Sequence, residues 1–297
     1  MKNPLIIKFS PSVVVITALL LAHDSQGQIS ITGGGLSYSQ DFDTLTRSTT
    51  AENWTDNTAT TSLNDNPQLV GLVGWYAASF TSASATVINP GYTPQIRAGT
   101  GSSSTGSFYS FGANADSDRA LGTLPSDSIT ANGAGALRLG VRFVNDTGLT
   151  ITGFTFSYDG EQWRAGAVTP APVNNQFAFS YAVFGPGLGT LANSTYIVDP
   201  TGNFNTPDDG VGDGSSHTLD GNAPANRIAG IGDTITGLSV APGDEIWLRW
   251  SDANSSSADM GIGIDNFSIT FAVPEPSSAI LLGLGLVCFL NHARRRI

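Results

Sequence analysis

Asp41 and Asp43 stand two apart around Phe42, so an extended chain that buries Phe42 turns both carboxylates the same way. Asp265 belongs to the last alternating segment of the chain, and if the terminal strands are neighbours the three carboxylates meet. Calcium takes oxygen ligands of this kind, with backbone carbonyls completing the shell. Asp41, Asp43 and Asp265 are therefore the candidate ligands of a structural calcium, the only cofactor the sequence suggests. A second acidic stretch, Asp208 to Gly214 with Asp208, Asp209 and Asp213, lacks the spacing and the bidentate Glu of an EF-hand loop. Asp159 and Glu161 are also two apart and could serve as the paired carboxylates of a glycoside hydrolase, although Asp159-Gly160 equally reads as hairpin-turn chemistry. Indole faces stack on sugar rings, which makes Trp54, in Ala51 to Asp56, and Trp163, between Glu161 and Arg164, the candidate sugar platforms. Trp75 and Trp250 fall on apolar positions and are assigned to the core.

Other chemistries are excluded or lack a motif. His217 is the only histidine left once the two chain ends are set aside, so multi-histidine metal sites are ruled out. The single cysteine, Cys288, lies close to the C-terminus, and the rest of the chain has neither a disulfide nor a thiol nucleophile. No G-x-S-x-G elbow, phosphate loop or H-E-x-x-H occurs. Five of the 13 basic residues (Lys2, Lys8 and Arg294 to Arg296) and two of the 24 acids (Asp24, Glu275) belong to the ends. The body thus carries 8 arginines, no lysine and 22 acids, a formal charge of −14. Such a surface disfavours phosphate backbones, so no nucleic-acid partner is expected, and it suits neutral sugars, cations or basic partners.

The elements that must position these residues are strands. Leu137, Leu139, Val141 and Phe143 alternate with Arg138, Gly140 and Arg142, and Asn145 to Gly148 then turns the chain into Phe154, Phe156 and Tyr158. Phe177, Phe179, Tyr181 and Val183 repeat the pattern. Ala241-Pro242-Gly243-Asp244 is a turn leading into Ile246, Leu248 and Trp250. One-sided burial repeated this often predicts an all-β domain of two antiparallel sheets packed face to face as a jelly-roll-like sandwich. Tyr38 to Phe42 should open the domain and Gly261 to Phe271 close it, side by side. In the last segment Ile262 and Ile264 are in one phase and Phe267, Ile269 and Phe271 in the other, which predicts a β-bulge near Asp265-Asn266. Ala98 to Gly106 and Gly202 to Ser216 read as polar loops that do not pack.

Both ends carry targeting features. Lys2 and Lys8, the apolar Val13 to Ala22 and the small residues Ser25 to Gly27 describe a signal peptide, residues 1–27, cut after Gly27. The sandwich domain is expected over 28–272. In 273–297, Pro274-Glu275-Pro276 precedes an apolar run from Ala279 to Leu290, and Arg294, Arg295 and Arg296 follow. Two prolines keep the segment extended and poor at sheet pairing. With its flanking residues the run just reaches the lower limit of a membrane-spanning helix, and the arginines place the C-terminus in the cytoplasm with the body outside.

That tail resembles a PEP-CTERM sorting signal. The resemblance implies an exosortase-type processing enzyme as partner, a transient inner-membrane anchor and delivery to the cell surface or matrix. Gly160 to Arg164, Trp247 to Asp252 and Ile264 to Phe267 are similar to blocks in sandwich domains of other PEP-CTERM proteins, with which no activity travels. The expected function is an exported, non-catalytic surface or matrix protein associated with exopolysaccharide. The alternatives are a carbohydrate-binding module or a carboxylate-dependent polysaccharide hydrolase.

Overall fold

The computed structural model describes residues 27–53, 72–82, 87–89, 91–130, 134–167, 176–210, 214–255 and 258–274. The signal segment up to Gln26, Trp54, Asp213 and the tail beyond Pro274 lie outside the described residues. In chain order the strands are β1 (Ile29–Thr32), β2 (Ser37–Gln40), β3 (Glu52–Asn53), β4 (Trp75–Phe80), β5 (Gln95–Gly99), β6 (Ser107–Phe111), β7 (Ala120–Leu124), β8 (Ala136–Asp146), β9 (Ile151–Ala165), β10 (Gln176–Phe184), β11 (Ile197–Val198), β12 (Phe204–Asn205), β13 (His217–Thr218), β14 (Arg227–Val240), β15 (Glu245–Ala253) and β16 (Gly261–Ala272). Among the described residues, helix is limited to one α turn, Asp127–Thr130, and one 3-10 turn, Pro200–Gly202.

The strands form two sheets. The first runs β1-β8-β15-β10-β11, with β4 also on β8 and β12 on β10. The second runs β13-β9-β16-β7-β6-β5-β3, with β14 on β9 and β2 on β16. Pairing is antiparallel except between β1 and β8 and between β5 and β6, which run parallel. The alternating residues meet between the sheets: Leu139 and Val141 of β8, Phe156 and Tyr158 of β9, Phe179 of β10 and Trp250 of β15 are at most 2% exposed. Trp75 stacks on Trp250 with centroids 5.9 Å apart and planes at 19°. The described body is therefore an all-β, two-sheet sandwich.

The closing strand behaves as its phase slip predicts. Between Asp265, opposite Asp159, and Ser268, opposite Ser157, two residues of β16 face one of β9. Asn266 takes up the extra residue with φ 48°, and Ile262, Ile264, Phe267, Ile269 and Phe271 all reach the core. Strand β2 pairs with β16, Tyr38 opposite Ile269. The domain opens earlier than expected, however, because β1 precedes β2 and joins the other sheet beside Phe143. Two of the loops also pack. Ala98 and Gly99 belong to β5, and Phe204 in the Gly202–Ser216 stretch is fully buried. A lone aromatic in a polar stretch gives no periodic signal, yet its burial outweighs the polarity of its neighbours.

Each sheet also has a covered outer face. On the first, Tyr76, Phe80, Leu191, Tyr196 and Trp247 form a separate buried cluster. On the second, Tyr109, Phe111, Ala120, Leu124 and Trp163 form another. Positions that alternation assigns to solvent are thus buried a second time, beneath loops.

Candidate functional site

The acidic residues singled out by the sequence gather on the outer face of the second sheet, but in a different set. β9 points Phe154, Phe156 and Tyr158 inward, so Asp159, Glu161 and Trp163 point outward. Asp265, just before the bulge of β16, stands opposite Asp159 on the same face. Glu161 is 1% exposed and Asp265 3%. Glu161 Oε2 accepts from the Trp163 indole at 2.9 Å, and Asp265 Oδ2 accepts from Asn266 Nδ2 at 3.0 Å. The second oxygen of each, Glu161 Oε1 and Asp265 Oδ1, is buried without a hydrogen-bond partner. Burial pushes Glu161 up to about 7, with Asp118 and Asp159 adding to the shift against the Trp163 hydrogen bond. Burial, then the neighbouring Glu161, pushes Asp265 up to about 8.

Asp41 and Asp43 do not complete this group. β2 ends at Gln40 and Phe42 takes a positive φ of 58°, so the alternation that would aim both carboxylates together is broken. Both residues are exposed. Asp41 accepts the Asp43 amide at 3.2 Å, and Asp43 accepts the Arg119 amide at 3.2 Å. Among the described residues no three His, Cys, Asp or Glu side chains converge as a metal-ligand group. In the second acidic stretch, Asp208 accepts the Gly210 amide and lies 3.3 Å from His217 Nε2.

Of the paired carboxylates of the hydrolase reading, Asp159 is engaged through both oxygens. Asp159 Oδ1 accepts from the Gly230 amide at 2.9 Å, its Oδ2 accepts from Asn266 Nδ2 at 3.2 Å, and Arg227 lies 3.8 Å away. Glu161 is sealed from solvent. Trp163 offers no platform either. It is 2% exposed and stacks on Phe111 at 6.0 Å and 4°, and Phe111 stacks on Tyr109 at 4.9 Å and 10°. The chain at Gly221 closes over the indole so tightly that a Cβ there would lie 2.3 Å from Trp163 Nε1. Sequence alternation finds that Trp163 faces outward, but the covering loop, which has no periodicity, leaves no trace in the pattern. Trp54, the other candidate, is outside the described residues.

The sorting segment begins where the sandwich stops. β16 ends at Ala272, which pairs with Gly153. Val273 still packs against the core, and Pro274 is exposed. Glu275, Pro276, Arg294, Arg295 and Arg296 lie beyond the described residues. The described body is a two-sheet β-sandwich that ends where a sorting segment begins. Residues 272–296 match the PEP-CTERM protein-sorting motif. No curated protein matches the chain. Solved structures similar to it include TmCBM61 in complex with beta-1,4-galactotriose (8% identity, TM-score 0.25, 54% of this chain and 74% of that one). The Stig cyclase Fisc from Fischerella sp. TAU is 13% identical (TM-score 0.29, 68% and 86%). A cleaved adhesin domain of Lys-gingipain from Porphyromonas gingivalis is 13% identical (TM-score 0.25, 54% and 78%).

Proposed function

We infer that this chain is a non-catalytic protein of the cell surface or extracellular matrix, released from a transient inner-membrane anchor by an exosortase-type enzyme and retained in exopolysaccharide. The observation that carries this reading is the PEP-CTERM match at 272–296, which starts at the last residue of the last core strand. Two prolines in three residues remove backbone donors, which suits threading into a processing enzyme. The non-catalytic part is supported by Asp159, whose oxygens hold the Gly230 amide and Asn266 with Arg227 nearby, and by the burial of Glu161. Fractionating the source cells tests the reading: the body should accumulate with matrix polysaccharide, and loss of Pro274-Glu275-Pro276 should hold it in the membrane. A body found only in the cytoplasm would end the proposal.

Calcium is retained as a structural ligand, on a revised set. Two buried carboxylates that each keep one orphaned oxygen fit a hard divalent cation, which takes carboxylate, carbonyl and water oxygens together. Glu161 and Asp265 would hold it, in place of the Asp41, Asp43 and Asp265 set. Its contribution would be to neutralise the two buried charges and tie β9 to β16 at the bulge.

A further inference from the structure

A pocket of about 290 Å³ opens beside β5, and its polar lining is largely basic and hydroxylic. Three of the body's eight arginines, Arg47, Arg97 and Arg119, reach it, together with Thr49, Ser102 and Ser103. No carboxylate lines it among the described residues. In a body with a formal charge of −14, such a gathering of one sign is not a by-product of composition.

The three guanidiniums are held differently. Arg119 is 2% exposed and tied down by Ser110 Oγ at 2.9 Å, the Ala113 carbonyl at 3.2 Å and the Ser110 carbonyl. Burial lowers its pKa, and the charge of Arg47 lowers it further, while Asp116 and Asp118 act in the other direction. Arg47 donates Nε to the Asp116 carbonyl at 3.0 Å. Arg97 on β5 has a buried Nε with no acceptor. A buried, unpaired donor on a permanently charged group is costly, and an anion in the pocket would remove that cost. Guanidinium groups match the planar or tetrahedral oxygens of carboxylate and sulfate.

We propose that this pocket binds an oxyanion borne on an extracellular polysaccharide, a carboxylate or sulfate group held by Arg97, Arg47 and Arg119, with Thr49, Ser102 and Ser103 offered to neighbouring sugar hydroxyls. The volume, equivalent to about ten water molecules, suits one charged sugar residue rather than a chain. Polysaccharide as the carrier rests on the matrix reading above, whereas the anion pocket stands without it.

Titration calorimetry on the full-length chain in mild detergent tests this, with trigalacturonate, neutral maltotriose and sodium sulfate as probes. Trigalacturonate should bind and maltotriose should not, and raising the salt should weaken binding. Arg97→Gln and Arg47→Gln should each weaken it about tenfold or more, as for loss of a charge-assisted contact. Arg249→Gln, on the opposite sheet, should leave it unchanged, and equal melting temperatures of the variants would show that they fold. Sulfate binding that Arg97→Gln abolishes, without trigalacturonate binding, would support the anion pocket and remove the glycan as its source. Binding of none of the anions, or equal binding by wild type and Arg97→Gln, overturns the proposal. Neither outcome bears on tail processing, so the two readings fail separately.

Discussion

Glu161 accepts the indole N–H of Trp163 at 2.9 Å on one sheet, and Glu245 accepts that of Trp247 at 2.8 Å on the other. Both pairs are two residues apart, both lie on an outer face, and both are buried beneath loops. They differ in what the rest of the carboxylate meets. Glu245 also accepts from Arg142 at 2.6 Å and from the Gly187 amide, so each of its oxygens is satisfied. Glu161 keeps an orphaned oxygen beside Asp265. The same local bond should therefore give opposite answers to the same mutation.

Glu245→Gln removes the charge that compensates a half-buried Arg142 and forces an amide N–H against at least one donor. Breaking a buried pair from one side costs about 3 kcal/mol or more. The urea midpoint should drop with an unchanged m-value. Glu161→Gln, measured with EDTA at pH 8, should be neutral or stabilising, because an uncompensated buried charge is lost. A large destabilisation by Glu161→Gln under those conditions would contradict the assignment.

Stability should depend on pH through the same cluster. Glu161 rises from 4.5 to about 7 and Asp265 from 3.8 to about 8 on folding. In that interval the folded state binds more protons than the unfolded one, so stability falls as pH rises. The contribution is intact below about pH 4 and lost once pH exceeds about 8. Melting temperatures in EDTA across that range should decline, with a shallower slope in Asp265→Asn.

Calcium should reverse the decline. A ligand bound only by the native state stabilises by RT ln(1 + [L]/Kd), about 2.7 kcal/mol at a hundredfold excess over Kd. Millimolar calcium at pH 8 should raise the melting temperature of the wild type by several degrees and leave Asp265→Asn unmoved. Asp41→Asn should respond like the wild type. Superimposable curves with and without calcium would leave the two acids holding protons instead.

Processing should leave its own signature. Mass spectrometry of the protein purified from its natural source should find no peptides beyond about Pro276. Intact Arg294 to Ile297 on most molecules would mean a permanent anchor.

The inner faces were legible from the sequence: β8, β9, β10 and β15 carry a period of two, and even the bulge at Asn266 shows as a slip of phase. What escaped was the covering of the outer faces and whatever a single residue holds. β14 runs from Arg227 to Val240 along the edge of β9 and leaves much of its length exposed, so it has little apolar pattern to read. Phe42 was expected to continue a strand and instead turns it. Glu161 is polar at an outward position, and its burial beside Trp163, which Gly221 covers from far along the chain, leaves no local signal. Local pattern reports which way a side chain points and is silent on what later comes to rest upon it.

The last strand to be made is also an interior one. β16 lies between β9 on one side and β7 and β2 on the other, so the second sheet stays divided until the final residues before the sorting signal have arrived. A chain cut short before Gly261 would therefore lack the strand that joins its halves.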